Sequence, residues 1–90
     1  MAQAIVDPAD VRRFAQQLKK FSDSLQSEMQ SLRSRLQTLG SSWRDQENQK
    51  FAEEFEHTVQ AVARFVEAAN EHVPFLLRKA ERVEEYLQQR

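Results

Sequence analysis

The chain contains one glycine, and that glycine stands near its middle. On either side of Gly40 the sequence runs on without a second turn-forming cluster. Sandwiches and barrels need turn signals roughly every 8–12 residues, so this pattern excludes them. A glycine just past a periodic segment ends a helix, because it takes the left-handed conformation without a Cβ penalty. A first helix is therefore expected to stop at Leu39. Ser42 and Asp45, three apart, read as a variant capping box that starts a second helix near Trp43. At the other end, Asp7-Pro8-Ala9-Asp10 supplies a capping carboxylate, a proline at the first helical position and an acid in the first turn. The expected fold class is all-α: one domain spanning 1–90, with helices over about 8–39 and 43–88. The turn at 40–42 is short enough to force the helices antiparallel, as a hairpin.

The apolar period supports this reading. In the first helix Val11, Phe14, Leu18, Phe21, Leu25, Met29, Leu32, Leu36 and Leu39 recur in steps of three and four. One extra four-step near Leu25 predicts locally straight packing. The second helix carries a stripe from Phe51 to Leu87 and, beside it, a second edge of Ala61, Phe65, Ala68 and Phe75. A helix with so wide an apolar face has more to bury than one neighbour can cover. Two rods side by side form a single layer, and apolar faces need cover on both sides. The expectation is therefore a dimer in which two hairpins make a four-helix bundle. Its candidate interface sets Phe65 and Phe75 against Phe14, Phe21 and Leu25. Pro74 removes a backbone hydrogen bond at ~3 kcal/mol in a helix interior, but the period runs through it. A kinked, continuous helix is expected, with a short third helix from Pro74 as the alternative.

Little chemistry can be assembled. Thirteen basic residues against fourteen acidic ones give a net charge of −1, a poor match to the phosphate backbone, so no nucleic-acid partner is expected. The basic residues of the first helix, Arg12, Arg13, Lys19 and Lys20, are interleaved with Asp10 and Asp23 and read as a solvated, salt-bridged face. With no cysteine, disulfides, zinc ribbons and thiol nucleophiles are excluded. His57 has Glu53 and Glu54 beside it, but metal sites need three or four converging ligands, and a solvated helix face accounts for all three. No nucleophile–base pair or phosphate loop exists. No catalysis, cofactor or metal is expected. No stretch approaches 18 apolar residues, so no membrane span is expected. The N-terminus lacks the basic and apolar regions of a cleavable signal peptide. Ser24, Ser27, Ser31 and Ser34 flank the apolar stripe, either as a solvated edge or as small residues that admit another helix. Trp43 is either a plug over the hairpin end or an interface anchor.

Two antiparallel helices, a short loop, Trp43 at the start of the second helix and Phe51 eight residues on resemble the Trp-x-Gly (WXG) proteins of type VII secretion. The resemblance covers nearly the whole chain. It implies a small, non-enzymatic helical hairpin, exported without a signal peptide as a homodimer or a heterodimer with a related hairpin, and handled by a secretion machinery. The turn motif here is Gly40, Trp43 and Asp45: the family's Trp-x-Gly becomes Trp43-Arg44-Asp45. The family's export signal is a tyrosine followed four residues later by an acid. Tyr86 is in place, but Arg90 stands where the acid belongs, giving a degenerate signal. The alternative reading is an intracellular structural or adaptor module that presents a helical face to a protein partner.

Overall fold

The computed structural model describes residues 6–89. Among them are two α-helices and no strand: α1, Pro8–Leu39, and α2, Gln46–Gln88. The helices pack antiparallel along their length, and the molecule measures 68 × 22 × 16 Å. At ~1.5 Å per residue, the 43 residues of α2 span ~65 Å and set the long dimension. Asp7 caps α1, its carboxylate accepting from the Ala9 N–H at 2.9 Å, with Pro8 in the first turn. α2 passes through Pro74 as one helix.

The turn differs from its sequence reading in three respects. Gly40 is right-handed (φ −63°), and no described residue has positive φ. The last carbonyls of α1 are instead taken by successive loop N–H groups: Gly40 on Leu36, Ser41 on Thr38, and both Ser42 and Trp43 on Leu39. That tightening satisfies the helix end without a left-handed residue. What Gly40 provides is proximity, since a Cβ there would lie 3.3 Å from the Gln37 carbonyl oxygen and 3.7 Å from the Asn48 amide nitrogen. Second, Ser42 does not cap α2, because its hydroxyl donates back to the Leu39 carbonyl. Asp45 is the cap, with its carboxylate accepting from the Asn48 N–H at 3.1 Å. Third, α2 therefore begins at Gln46, and Trp43 lies in a connection that runs from Gly40 to Asp45.

The seam between the helices is built from small residues. Ala15 and Ser22 of α1 and Ala69 and Ala80 of α2 are the most buried side chains, together with Val66. The half-buried Val11, Leu18, Leu25, Met29 and Leu36 continue the line on α1. Read this way, the α1 seam alternates steps of four and three without interruption from Val11 to Leu39. The extra step near Leu25, and the straightening inferred from it, came from counting Phe14 and Phe21 as seam residues. They stand one position to the side, about half exposed. The α2 seam keeps the same alternation from Ala52 to Leu87, straight through Pro74.

Candidate functional site: an open apolar face

A two-helix layer has two faces, and these differ in chemistry. On one, Phe21, Leu25, Thr58, Ala61, Val62 and Phe65 line a groove between the helices. Phe21 and Phe65 meet edge to face across it, ring centroids 6.0 Å apart. Towards the turn a second groove is lined by Leu32, Leu36, Leu39, Phe51 and Phe55, with Arg35 at its edge. An aromatic row closes that end: Phe51 stacks on Phe55 at 5.9 Å, and Trp43, half-buried, lies 6.3 Å from Phe51. All six phenylalanines fall on the seven-residue rows that contain these groove residues.

The other face is polar and bridged. Gln26, Gln30, Arg33, Glu67 and Asn70 surround a shallow groove over Met29 and Val66. Lys19 and Lys20 flank Leu77 farther along. Two ion pairs cross between the helices here. Arg33 donates to Glu56 at 2.8 Å near the turn. At the far end the Arg12 guanidinium grips both oxygens of Glu84, one bond measuring 2.7 Å. Arg12, Lys19, Gln26 and Arg33 form one seven-residue row on α1; Glu56, Asn70, Leu77 and Glu84 lie on its counterpart on α2. The Arg12 hydrogen bonds hold the Glu84 carboxyl below the usual carboxylate range, against the opposing pull of partial desolvation. The same contact raises the pKa of Arg12.

Of the expected interface residues, Phe21, Leu25 and Phe65 come together in one groove. Phe14 and Phe75 belong to the same face but do not line that groove, and they are 55% and 58% exposed. Tyr86 projects from the last turns of α2 at 63% exposure, while Val83 and Leu87 sit half-buried in the seam. It does not extend the seam. Arg90 lies outside the described residues.

Asp45 stands where the related motif has glycine, and its backbone is extended (φ −91°, ψ −177°). Any L-residue adopts that conformation, so glycine is dispensable there, and aspartate adds a cap that glycine lacks. Asn48 is the turn residue that the sequence reading missed. Its N–H meets Asp45, and its side-chain amide donates to the Trp43 carbonyl at 2.6 Å, tying the connection to the first turn of α2. The Asp45-x-x-Asn48 spacing was the available signal, a polar residue three after a cap.

These features define a class: a small helical hairpin with one face open and apolar. Within that class, the chain belongs to the family described as "Proteins of 100 residues with WXG", which it matches over residues 3–86. The family is non-enzymatic and helical, is associated with type VII secretion, and its members typically pair with partners. No curated protein and no solved structure matches the chain. No helix among the described residues is long and apolar enough to cross a membrane.

Proposed function

We propose that this chain is a secretion-linked binding protein that uses its open apolar face to pair with a second helical hairpin, as a four-helix bundle. The observation that carries this reading is surface area. A compact monomer of 10.6 kDa exposes about 5,500 Å², whereas this chain exposes 7332 Å². A standard interface removes about 800 Å² from each partner, and the excess here is about twice that. The exposed phenylalanines are concentrated on the one face that no interhelical ion pair bridges, among the described residues. Light scattering at micromolar concentration, alone and mixed with related hairpins, tests the reading. A particle of two hairpins is expected; a clean monomer in every mixture overturns it.

Export follows from the family resemblance. Recognition there uses a tyrosine and an acid one helical turn apart, on one face. Tyr86 is exposed and available, but Arg90 carries the wrong sign, and a pocket built for a carboxylate would repel it. The lone chain is therefore expected to stay in the cell with respect to the tyrosine-dependent route. It leaves with a partner that carries the intact signal, and Arg90→Glu improves its export. Efficient secretion of the lone chain into culture supernatant, unchanged by Tyr86→Ala, contradicts this.

A further inference from the structure

We infer that the groove over Met29 and Val66, on the bridged face, is a recognition site for a short extended segment of another protein. That segment carries a lysine or arginine between two small apolar residues. The groove lies on the face that the pairing proposed above leaves uncovered, and its use does not depend on that pairing.

The groove encloses about 300 Å³ between α1 and α2, at the lower end of the range that holds small ligands. Its floor is apolar, with Met29, Val62 and Val66, and carboxamides stand along its rim, Gln26 and Gln30 on α1 and Asn70 on α2. No hydrogen bond among the described residues engages any of these three side chains. A carboxamide donates and accepts at once, as a peptide backbone does. The spacing agrees: Gln26 and Gln30 are one turn apart, ~6 Å along α1. An extended chain turns its N–H and C=O to the same side every second residue, ~6.6 Å. Pro74 adds an acceptor, because it has no N–H to give to the carbonyl four residues back, which is that of Asn70. Asn70 therefore offers both its carboxamide and a backbone oxygen that lacks its helical donor.

A helix is a poor occupant. Its N–H and C=O groups are bonded to each other, and the Arg33–Glu56 pair joins the two helices at the end of the groove, in the path of a rod along the seam. From Gln26 to Arg33 is ~10 Å, which an extended chain crosses in about three residues. Charge selects the middle one. Arg33 is already held by Glu56, whereas Glu67 has no ion partner among the described residues. Glu53, Glu67 and Glu81 share one row of α2 that contains no lysine or arginine. In an extended triplet the outer side chains turn to the floor and the middle one turns away from it, towards the rim where Glu67 stands. Every lysine and arginine described in this chain lies in a helix or, as Arg44, in the connection, bonded to the Ser41 carbonyl. The segment therefore belongs to another protein.

The probe is the capped hexapeptide Ser-Val-Lys-Val-Ser-Gly, titrated into the isotopically labelled full chain and followed by NMR. The side-chain amide signals of Gln26, Gln30 and Asn70 are expected to shift together, while Phe21 and Phe65 stay unmoved. Gln26→Ala combined with Gln30→Ala is expected to weaken binding about tenfold, the loss of two hydrogen bonds. Pro74→Ala restores the helical donor, so it is expected to raise the urea midpoint and yet weaken binding about fivefold. Glu67→Lys is expected to reverse the preference, from this peptide to its Val-Glu-Val counterpart. The peptide N-methylated at its three central residues, which keeps the side chains and loses the backbone donors, is expected not to bind. Equal binding of the N-methylated peptide overturns the proposal, as do shifts confined to the open face or no shift at millimolar peptide. None of these outcomes bears on the pairing reading, which light scattering tests separately.

Discussion

The two faces of this hairpin are made by the same two helices and separated only by the seam, yet they handle the ends of their side chains in opposite ways. On the bridged face, charged residues reach across from one helix to the other at both ends, Arg12 to Glu84 and Arg33 to Glu56. The exposed residues between them are mostly amides and charged side chains that water can cover, with Leu77 the one large apolar exception, flanked by Lys19 and Lys20. On the open face the rows carry phenylalanines, and Phe14, Phe21, Phe65 and Phe75 remain 42–58% exposed. A hairpin that had to stand alone would place its aromatics in the seam and its small residues outside. Here the order is reversed: alanine and serine occupy the seam and the rings stand beside it. Each of these large apolar side chains would contribute about 1.5–3 kcal/mol if it were fully buried, so the exposed rings are stabilisation that the hairpin alone does not realise.

The sharpest way to break the comparison is to put the same charge on each face. Phe65→Glu sets a carboxylate in the middle of the open groove and is expected to abolish pairing at micromolar concentration, since burying an unpaired charge is among the costliest changes. Ala63→Glu adds the same carboxylate beside Val66 on the other face and is expected to leave pairing within about twofold, as a surface charge away from the contact does. Sedimentation of the two variants side by side decides it. Equal loss in both would mean that the faces are not functionally distinct.

The seam comes next in size. Ala80 is fully buried, and Ala80→Leu forces methylenes into a contact sized for a methyl group. Destabilisation of about 1–3 kcal/mol is expected, read as a lower urea midpoint. Both faces lose their definition together, because both depend on the close approach of the helices. Ser22 works in the opposite sense. Its hydroxyl oxygen is wholly buried and has no hydrogen-bond partner. Ser22→Ala keeps the size and removes the unpaired group, so stabilisation of about 1 kcal/mol is expected. A drop in stability would show that the hydroxyl is paired in solution.

These seam residues also mark what could be read from the sequence and what could not. The two helices were legible, since one mid-chain glycine and an unbroken period leave few alternatives. The exact seam was not. Choosing the largest apolar residue in each turn selects Phe14 and Phe21, and it passes over Ala15 and Ser22 one position on. Hydrophobicity scales weight size, whereas an interhelical contact at close range selects for the lack of it. Following the strict four–three alternation through small residues would have placed the seam correctly. The turn failed for a different reason: Ser42 and Asp45 are both good caps, and only the hydrogen bond of Ser42 back to Leu39 decides between them. Phe65 and Leu25 could be assigned to one surface because a second apolar edge at helical spacing has no other use.

The bridged face offers the smallest and most specific test, in its response to acid. Glu84 titrates below the ordinary carboxylate range because Arg12 donates to both of its oxygens. A carboxyl whose pKa is lower in the folded state binds fewer protons there than in the unfolded chain. Its contribution to stability is therefore fully present above the unfolded carboxylate pKa, about 4.3, and is lost as pH falls through the lower folded value. Arg12, with its pKa raised, stays charged across this window and adds no pH dependence of its own. The two side chains are each 37% exposed, so solvent screening keeps the effect modest. Thermal melts of the parent chain and of Glu84→Gln are expected to differ at neutral pH and to converge as the pH falls below about 4. Phe65→Glu and its parent, compared for self-association over the same range, are expected to converge as well, but from the opposite direction. Protonation neutralises the intruding carboxylate and lets the open face close again, so acid weakens one face of the hairpin while it relieves the damaged other.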